Sequence, residues 1–116
     1  MTKSVYYIDV SGTKVWRLPN SMRHREDGPA LEFPDGSKAW YLYGELHRID
    51  GPAVELSDGT KEWFKNDKRH REDGPAIENN GYKVWYLNGR FIEKGERPEN
   101  WEELVNLYQI ERIMND

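Results

Sequence analysis

Three short stretches hold the residue types that do chemistry: His24-Arg25-Glu26-Asp27, His47-Arg48-Ile49-Asp50 and His70-Arg71-Glu72-Asp73. Histidine beside carboxylates is the material of acid–base catalysis and of metal sites. Arginine is the usual reader of phosphate. Catalysis, however, needs one asymmetric constellation, and here the same phrase, continued by Gly-Pro-Ala, stands three times at a step of 23 residues. A zinc ion would need each imidazole nitrogen at about 2.1 Å. Successive hairpins of a sheet put equivalent residues about 9.6 Å apart, so one ion does not collect His24, His47 and His70. The expectation is a non-enzymatic protein with no catalytic residue, no metal and no cofactor. Each histidine is then bonded inside its own loop. Arg25, Arg48 and Arg71 pair with loop carboxylates or carbonyls, the alternative being a loop edge that reads phosphate. No Gly-rich phosphate loop or nucleophile elbow is present.

A second phrase runs in phase with the first: Gly12/Lys14/Trp16, Gly36/Lys38/Trp40, Gly59/Lys61/Trp63 and Gly81/Lys83/Trp85. A fixed period of this length marks a repeat array in which each unit buries its apolar face against its neighbours. Within a unit, Ala30 to Phe33 alternates as a strand, Asp35-Gly36 favours a two-residue turn, and Ser37 to Tyr43 returns. This places Leu31 opposite Trp40, Val54 opposite Trp63 and Tyr7 opposite Trp16. The tryptophans and aliphatic residues then share a core face. The other face carries Tyr41, Phe64 and Tyr86 with Glu32, Glu55 and Glu78 beside them, an acidic and aromatic ladder suited to a partner. The fold expected is mainly β: a single-layer antiparallel meander of about eight strands, one hairpin per repeat, ending in a helix. The sheet occupies 1–93. A linker and helix follow in 94–116, lying on the tryptophan face, and the whole is one domain.

With 33% charged residues and a net charge of -4, the surface is well solvated. The acidity argues against nucleic acid and membrane surfaces and suits a basic partner. There is no cysteine, which excludes disulfides and thiolate metal sites. Residues 1–10 lack the apolar run of a signal peptide. A cytoplasmic location is expected on these grounds, and a homodimer because one helix is too narrow to cover so wide an apolar face.

The repeated His-Arg-x-Asp-Gly-Pro-Ala phrase and its hairpins, over roughly 5–89, resemble the MORN family, and most closely its bacterial and phage variants. The resemblance implies units stacked side by side into a sheet. His24, His47 and His70 would match the family histidine, and Gly36, Gly59 and Gly81 its turn glycines. It further implies a protein-binding role without catalysis: scaffold, dimerisation platform, or an inhibitor that masks a nuclease or host-defence effector. Two other classes compete. One is a nucleotide or nucleic-acid binder using Arg25, Arg48 and Arg71; the other is a purely structural self-assembly module.

Overall fold

Two kinds of tight turn alternate along the chain and set the architecture, seen in a computed structural model that describes residues 3–115. The first kind joins β1 (Val5–Ile8) to β2 (Lys14–Arg17), β3 (Leu31–Glu32) to β4 (Lys38–Ala39), and β7 (Val54–Glu55) to β8 (Lys61–Glu62). Its loop has three residues, such as Pro34-Asp35-Gly36. Gly36 N–H donates to the Phe33 carbonyl at 3.0 Å and Phe33 N–H to the Ser37 carbonyl at 2.9 Å. Gly36 sits at φ +91°, the left-handed third position such a loop needs. The second kind joins β5 (Tyr41–Leu42) to β6 (Glu45–Leu46), β9 (Phe64–Lys65) to β10 (Lys68–Arg69), and β12 (Tyr82–Leu87) to β13 (Arg90–Lys94). In these two-residue turns both residues have positive φ: Tyr43-Gly44, Asn66-Asp67 and Asn88-Gly89. Each of the two central units therefore holds two hairpins where one was expected. The Asn80-Gly81 turn between β11 (Ile77–Asn79) and β12 belongs to the long-hairpin series but is a two-residue turn, as Asn79 pairs with Tyr82.

The long hairpins align into a nine-stranded antiparallel sheet, β1-β2-β3-β4-β7-β8-β11-β12-β13, with the β5-β6 and β9-β10 hairpins beside it. The helix α1 (Trp101–Met114) closes the chain. The molecule is a slab, 46 × 36 × 18 Å. No helix among the described residues is long and apolar enough to cross a membrane.

The extra turn residue shifts the register by one from the sequence expectation. Leu31 pairs with Ala39, Val54 with Glu62, and Tyr7 with Val15. One face consequently carries the row Tyr7, Val15, Leu31, Ala39, Val54, Glu62, Ile77 and Val84. The other carries Lys14, Glu32, Lys38, Glu55, Lys61, Glu78 and Lys83, in which opposite charges alternate strand by strand. Such cross-strand pairs contribute about 0.2–1 kcal/mol each. The tryptophans lie with the charges, not with the aliphatic row. Trp16, Trp40 and Trp63 are half-buried. Val15, Leu31 and Ala39 form the aliphatic core, with Tyr41 and Leu46 packed over them.

Ala30, Ala53 and Ala76 are fully buried where each long strand hands its pairing to the next unit. Trp40 N–H donates to the Ala53 carbonyl and Trp63 N–H to the Ala76 carbonyl, both at 2.7 Å. The helix covers the last unit and the third loop beside it. Trp101 meets Trp85 edge-on at 4.9 Å between ring centroids, and Leu104, Val105, Tyr108 and Ile92 close around them.

The aspartates of the three-residue turns accept backbone hydrogen bonds. Asp35 Oδ1 takes Ser37 N–H at 2.8 Å and Asp58 Oδ1 takes Thr60 N–H at 2.9 Å. These bonds favour the ionised form and hold both carboxyls below the usual carboxylate range. Their stabilising effect is present above the unfolded pKa and is lost as pH falls through the lower folded value. The Asp35→Ala/Asp58→Ala double variant should accordingly lose less stability than wild type between pH 7 and about pH 3. Urea midpoints at the two pH values check this, and an equal drop in both proteins would refute it.

Candidate functional site

Each arginine of the repeated phrase is fixed on four sides. Arg48 Nε donates to Asp50 Oδ1 at 3.2 Å, and its Nη1 to the Pro52 carbonyl at 3.0 Å and Glu55 Oε2 at 3.1 Å. Its guanidinium lies over the Trp40 ring, 3.8 Å from the centroid. Arg25 repeats this with Asp27, Pro29, Glu32 and Trp16. Arg71 does so with Asp73, Pro75 and Trp63, and pairs with Glu78 at 3.7 Å. The planar fork suits this use, because it donates sideways while stacking. The glycines make room. A Cβ on Gly28, Gly51 or Gly74 would stand 2.8, 2.9 or 2.6 Å from the arginine Cζ. Asp27 is held below the usual carboxylate range by the Arg25 hydrogen bond and charge.

Each histidine bonds outside its own loop through Nδ1, and His70 also bonds within its loop, to Glu72. Each ring Nδ1 accepts from the first residue of the following unit's tight turn. His24 takes Tyr43 N–H at 2.9 Å, His47 takes Asn66 N–H at 3.0 Å and His70 takes Asn88 N–H at 2.9 Å. All three donors have φ near +50°, a conformation that Asn66 and Asn88 tolerate and that is costly for Tyr43. With Nδ1 accepting, the proton sits on Nε2, and in His70 that nitrogen meets Glu72 Oε2 at 2.9 Å. Partial burial raises the Glu72 pKa, but hydrogen bonds from His70 and Gln109 outweigh this and leave it lowered. Among the described residues no group of three or more His, Asp or Glu is arranged to hold a metal ion.

The six residues expected to form one acidic and aromatic ladder are split. Glu32, Glu55 and Glu78 lie on the tryptophan face, engaged by the loop arginines. Tyr41, Phe64 and Tyr86 lie on the aliphatic face, two residues along from Ala39, Glu62 and Val84. The companions of these aromatics are arginines. Arg23 stands 5.5 Å from the Tyr41 ring, and Arg69 stands 5.3 and 5.7 Å from Phe64 and Tyr86. Arg17 donates to the Tyr7 hydroxyl at 3.0 Å. Glu62, 3.1 Å from Arg69, is the carboxylate of this row. A depression of about 350 Å³ opens between Phe64, Arg69 and Tyr86. The signal for this row was in the sequence, since Arg23, Leu46 and Arg69 share one repeat position, but finding it required the second hairpin.

The tryptophan face holds two larger clefts. One of about 860 Å³ lies between the second and third loops over Trp63. One of about 630 Å³ lies between the first and second loops over Trp40 and Leu42. Their shared wall exposes Ile49, 91% accessible, where the other loops have Glu26 and Glu72. At the far end α1 stands against the third loop, with Trp101 Nε1 donating to the Glu72 carbonyl at 2.8 Å and the Tyr108 ring tilted against His70 at 4.6 Å between centroids.

Comparison with known protein families, with curated proteins and with solved structures found no match to this chain in any of the three.

Proposed function

We propose that this chain is a non-enzymatic protein-binding module, and that its partner sits on the row Arg23, Tyr41, Phe64, Arg69 and Tyr86. The observation that carries this reading is that neither the arginine locks nor the histidine caps use these side chains. Tyrosine and arginine, with tryptophan, are the residue types enriched at interface hot spots. Arg17, Arg23 and Arg69 outnumber Glu62 on this face, although the chain as a whole is at -4. The partner surface it suits is acidic and apolar, the reverse of the basic partner expected from net charge. Masking of a nuclease or a defence effector is the finer form of this reading and rests on the MORN resemblance. The partner would then offer an acidic patch in place of its nucleic-acid-binding surface.

The test compares partner capture by wild type, Arg69→Glu, Tyr86→Ala and Ile49→Asp, each first shown to be folded by its denaturation curve. Arg69→Glu and Tyr86→Ala are each expected to weaken binding by roughly tenfold or more, and added salt should weaken wild-type binding. Ile49→Asp should bind as wild type. Loss of binding in Ile49→Asp alone would move the site to the clefts of the tryptophan face. A single-stranded nucleic acid is the second reading, favoured by the interleaving of arginine and aromatic rings on this row. The loop arginines no longer support it, being committed to their locks. Salt-sensitive retention of a labelled oligonucleotide that is lost in Arg69→Glu would establish it.

A further inference from the structure

The two ends of the nine-stranded sheet are finished differently. The last strand, β13, carries Arg90, Glu93 and Lys94, and a register shift between Trp85 and Tyr86 of its partner bends it. Charges and bulges are the usual protection of an open edge. The first strand has neither. All four of its residues, Val5, Tyr6, Tyr7 and Ile8, are exposed, Val5 at 69% and Ile8 at 65%. Its pairing with β2 is regular, and among the described residues nothing pairs with its outer side.

The hydrogen-bond phase tells which groups face outward. Asp9 N–H donates to the Thr13 carbonyl across the hairpin, and Trp16 N–H donates away from β1, to the Ala30 carbonyl. Inward and outward groups alternate along an antiparallel strand. Val5, Tyr7 and Asp9 therefore point their backbone groups into the sheet, and Tyr6 and Ile8 point theirs out.

We propose that β1 pairs antiparallel with β1 of a second copy of this chain about a two-fold axis at Tyr7, making one continuous sheet through both. In this register Tyr6 and Ile8 exchange N–H and carbonyl groups with Ile8 and Tyr6 of the second copy. Tyr7 faces its own counterpart as a non-hydrogen-bonded pair. The register sets the exposed Ile8 side chain against the Tyr6 ring on the tryptophan face, and it opposes Asp9 to Val5 rather than to another charge. A strand pairing with itself in this way gives a closed, isologous contact. The contact uses neither the Tyr–Arg row nor the clefts, so it is independent of the reading above.

Light scattering and sedimentation of the full chain test it. Wild type is expected to show twice the chain mass at micromolar concentration and to dissociate on dilution. Tyr6→Pro and Ile8→Pro each delete an outward N–H, which an edge strand tolerates. Ile8→Lys keeps the backbone and adds an edge charge. All three should run at the mass of one chain, with Ile8→Lys melting as wild type does under monomeric conditions. The chain has no cysteine, so Tyr7→Cys gives a direct register test. Counterparts in a non-hydrogen-bonded pair lie about 4.5 Å apart at Cα, within disulfide reach. Tyr7→Cys should form a disulfide-linked dimer under mild oxidation, and Val10→Cys should not. A wild-type mass of one chain up to millimolar concentration, a dimer that survives Ile8→Lys, or crosslinking at Val10→Cys but not at Tyr7→Cys would each overturn the proposal.

Discussion

Replacing Trp101 by alanine is expected to destabilise the protein by about 3–5 kcal/mol, the range for truncating a buried large aromatic. Trp101 is 2% exposed and stands on Trp85, the last tryptophan of the array. In the three preceding units a loop arginine occupies that position over the ring. No fourth loop follows, and the helix supplies an indole instead. The indole also ties the helix to the third loop through the Glu72 carbonyl. Its loss therefore removes apolar area and leaves that tie unmade. Leu107→Ala, on the exposed side of the same helix, should stay within about 0.5 kcal/mol of wild type. Chemical denaturation of both variants decides. A Trp101→Ala protein within about 1 kcal/mol of wild type would mean that the helix is not the cap of the array.

The second large effect is at the central lock. Arg48→Ala should cost about 2–3 kcal/mol, from charged hydrogen bonds and the stacking over Trp40, discounted because Asp50 is exposed. Lysine should not restore it, since an ammonium cannot stack on an indole while donating sideways to two carboxylates and a carbonyl. Gly51→Ala should cost nearly as much for a different reason. The φ of Gly51 is ordinary, so alanine meets no backbone strain there. The added methyl would instead stand 2.9 Å from Arg48 Cζ and push the guanidinium out of its place. The two changes should then be strongly non-additive, with Gly51→Ala almost free of cost once Arg48 is alanine. Additive costs in that double-mutant cycle would show that the glycine serves something other than the arginine.

How much of this was legible depends on which turn one reads. The period of 23 residues announced the repeat sheet, and the stripe of Trp101, Leu104, Val105 and Tyr108 announced the helix. The faces differ from the sequence expectation because Asp35-Gly36 suits two turns. It fits the centre of a two-residue turn, and it also fits the end of a type I turn whose glycine is left-handed. Pro34 pointed to the second, being favoured at the residue after the turn begins. One residue of slip moves the aromatic side chains of the return strands to the other face, so Tyr41, expected beside Glu32, lies on the opposite side from it. Asn88-Gly89 was the plain signal of the second hairpin, but in the preceding units Tyr43-Gly44 and Asn66-Asp67 disguise it. Those turns tolerate unusual residues because a histidine from the unit before holds the strained N–H. That support comes from tertiary structure, and no local propensity shows it.

The direction of that histidine bond gives the array a grammar. Each interior unit receives its turn acceptor from the neighbour on its amino-terminal side and offers one to the neighbour on the other. A 23-residue block copied in the middle arrives with one acceptor to give and one turn to be served, so both joints close with chemistry already in place. Gene duplication can thus lengthen the slab by about 9.6 Å at a time while leaving the terminal strand and the helical cap untouched. Excising the outermost unit at either end has no such freedom, because that unit carries a finish the interior lacks. Length is the property this architecture lets evolution vary most cheaply, and a chain one block longer should fold with the same two ends and a wider row of arginines and aromatic rings between them.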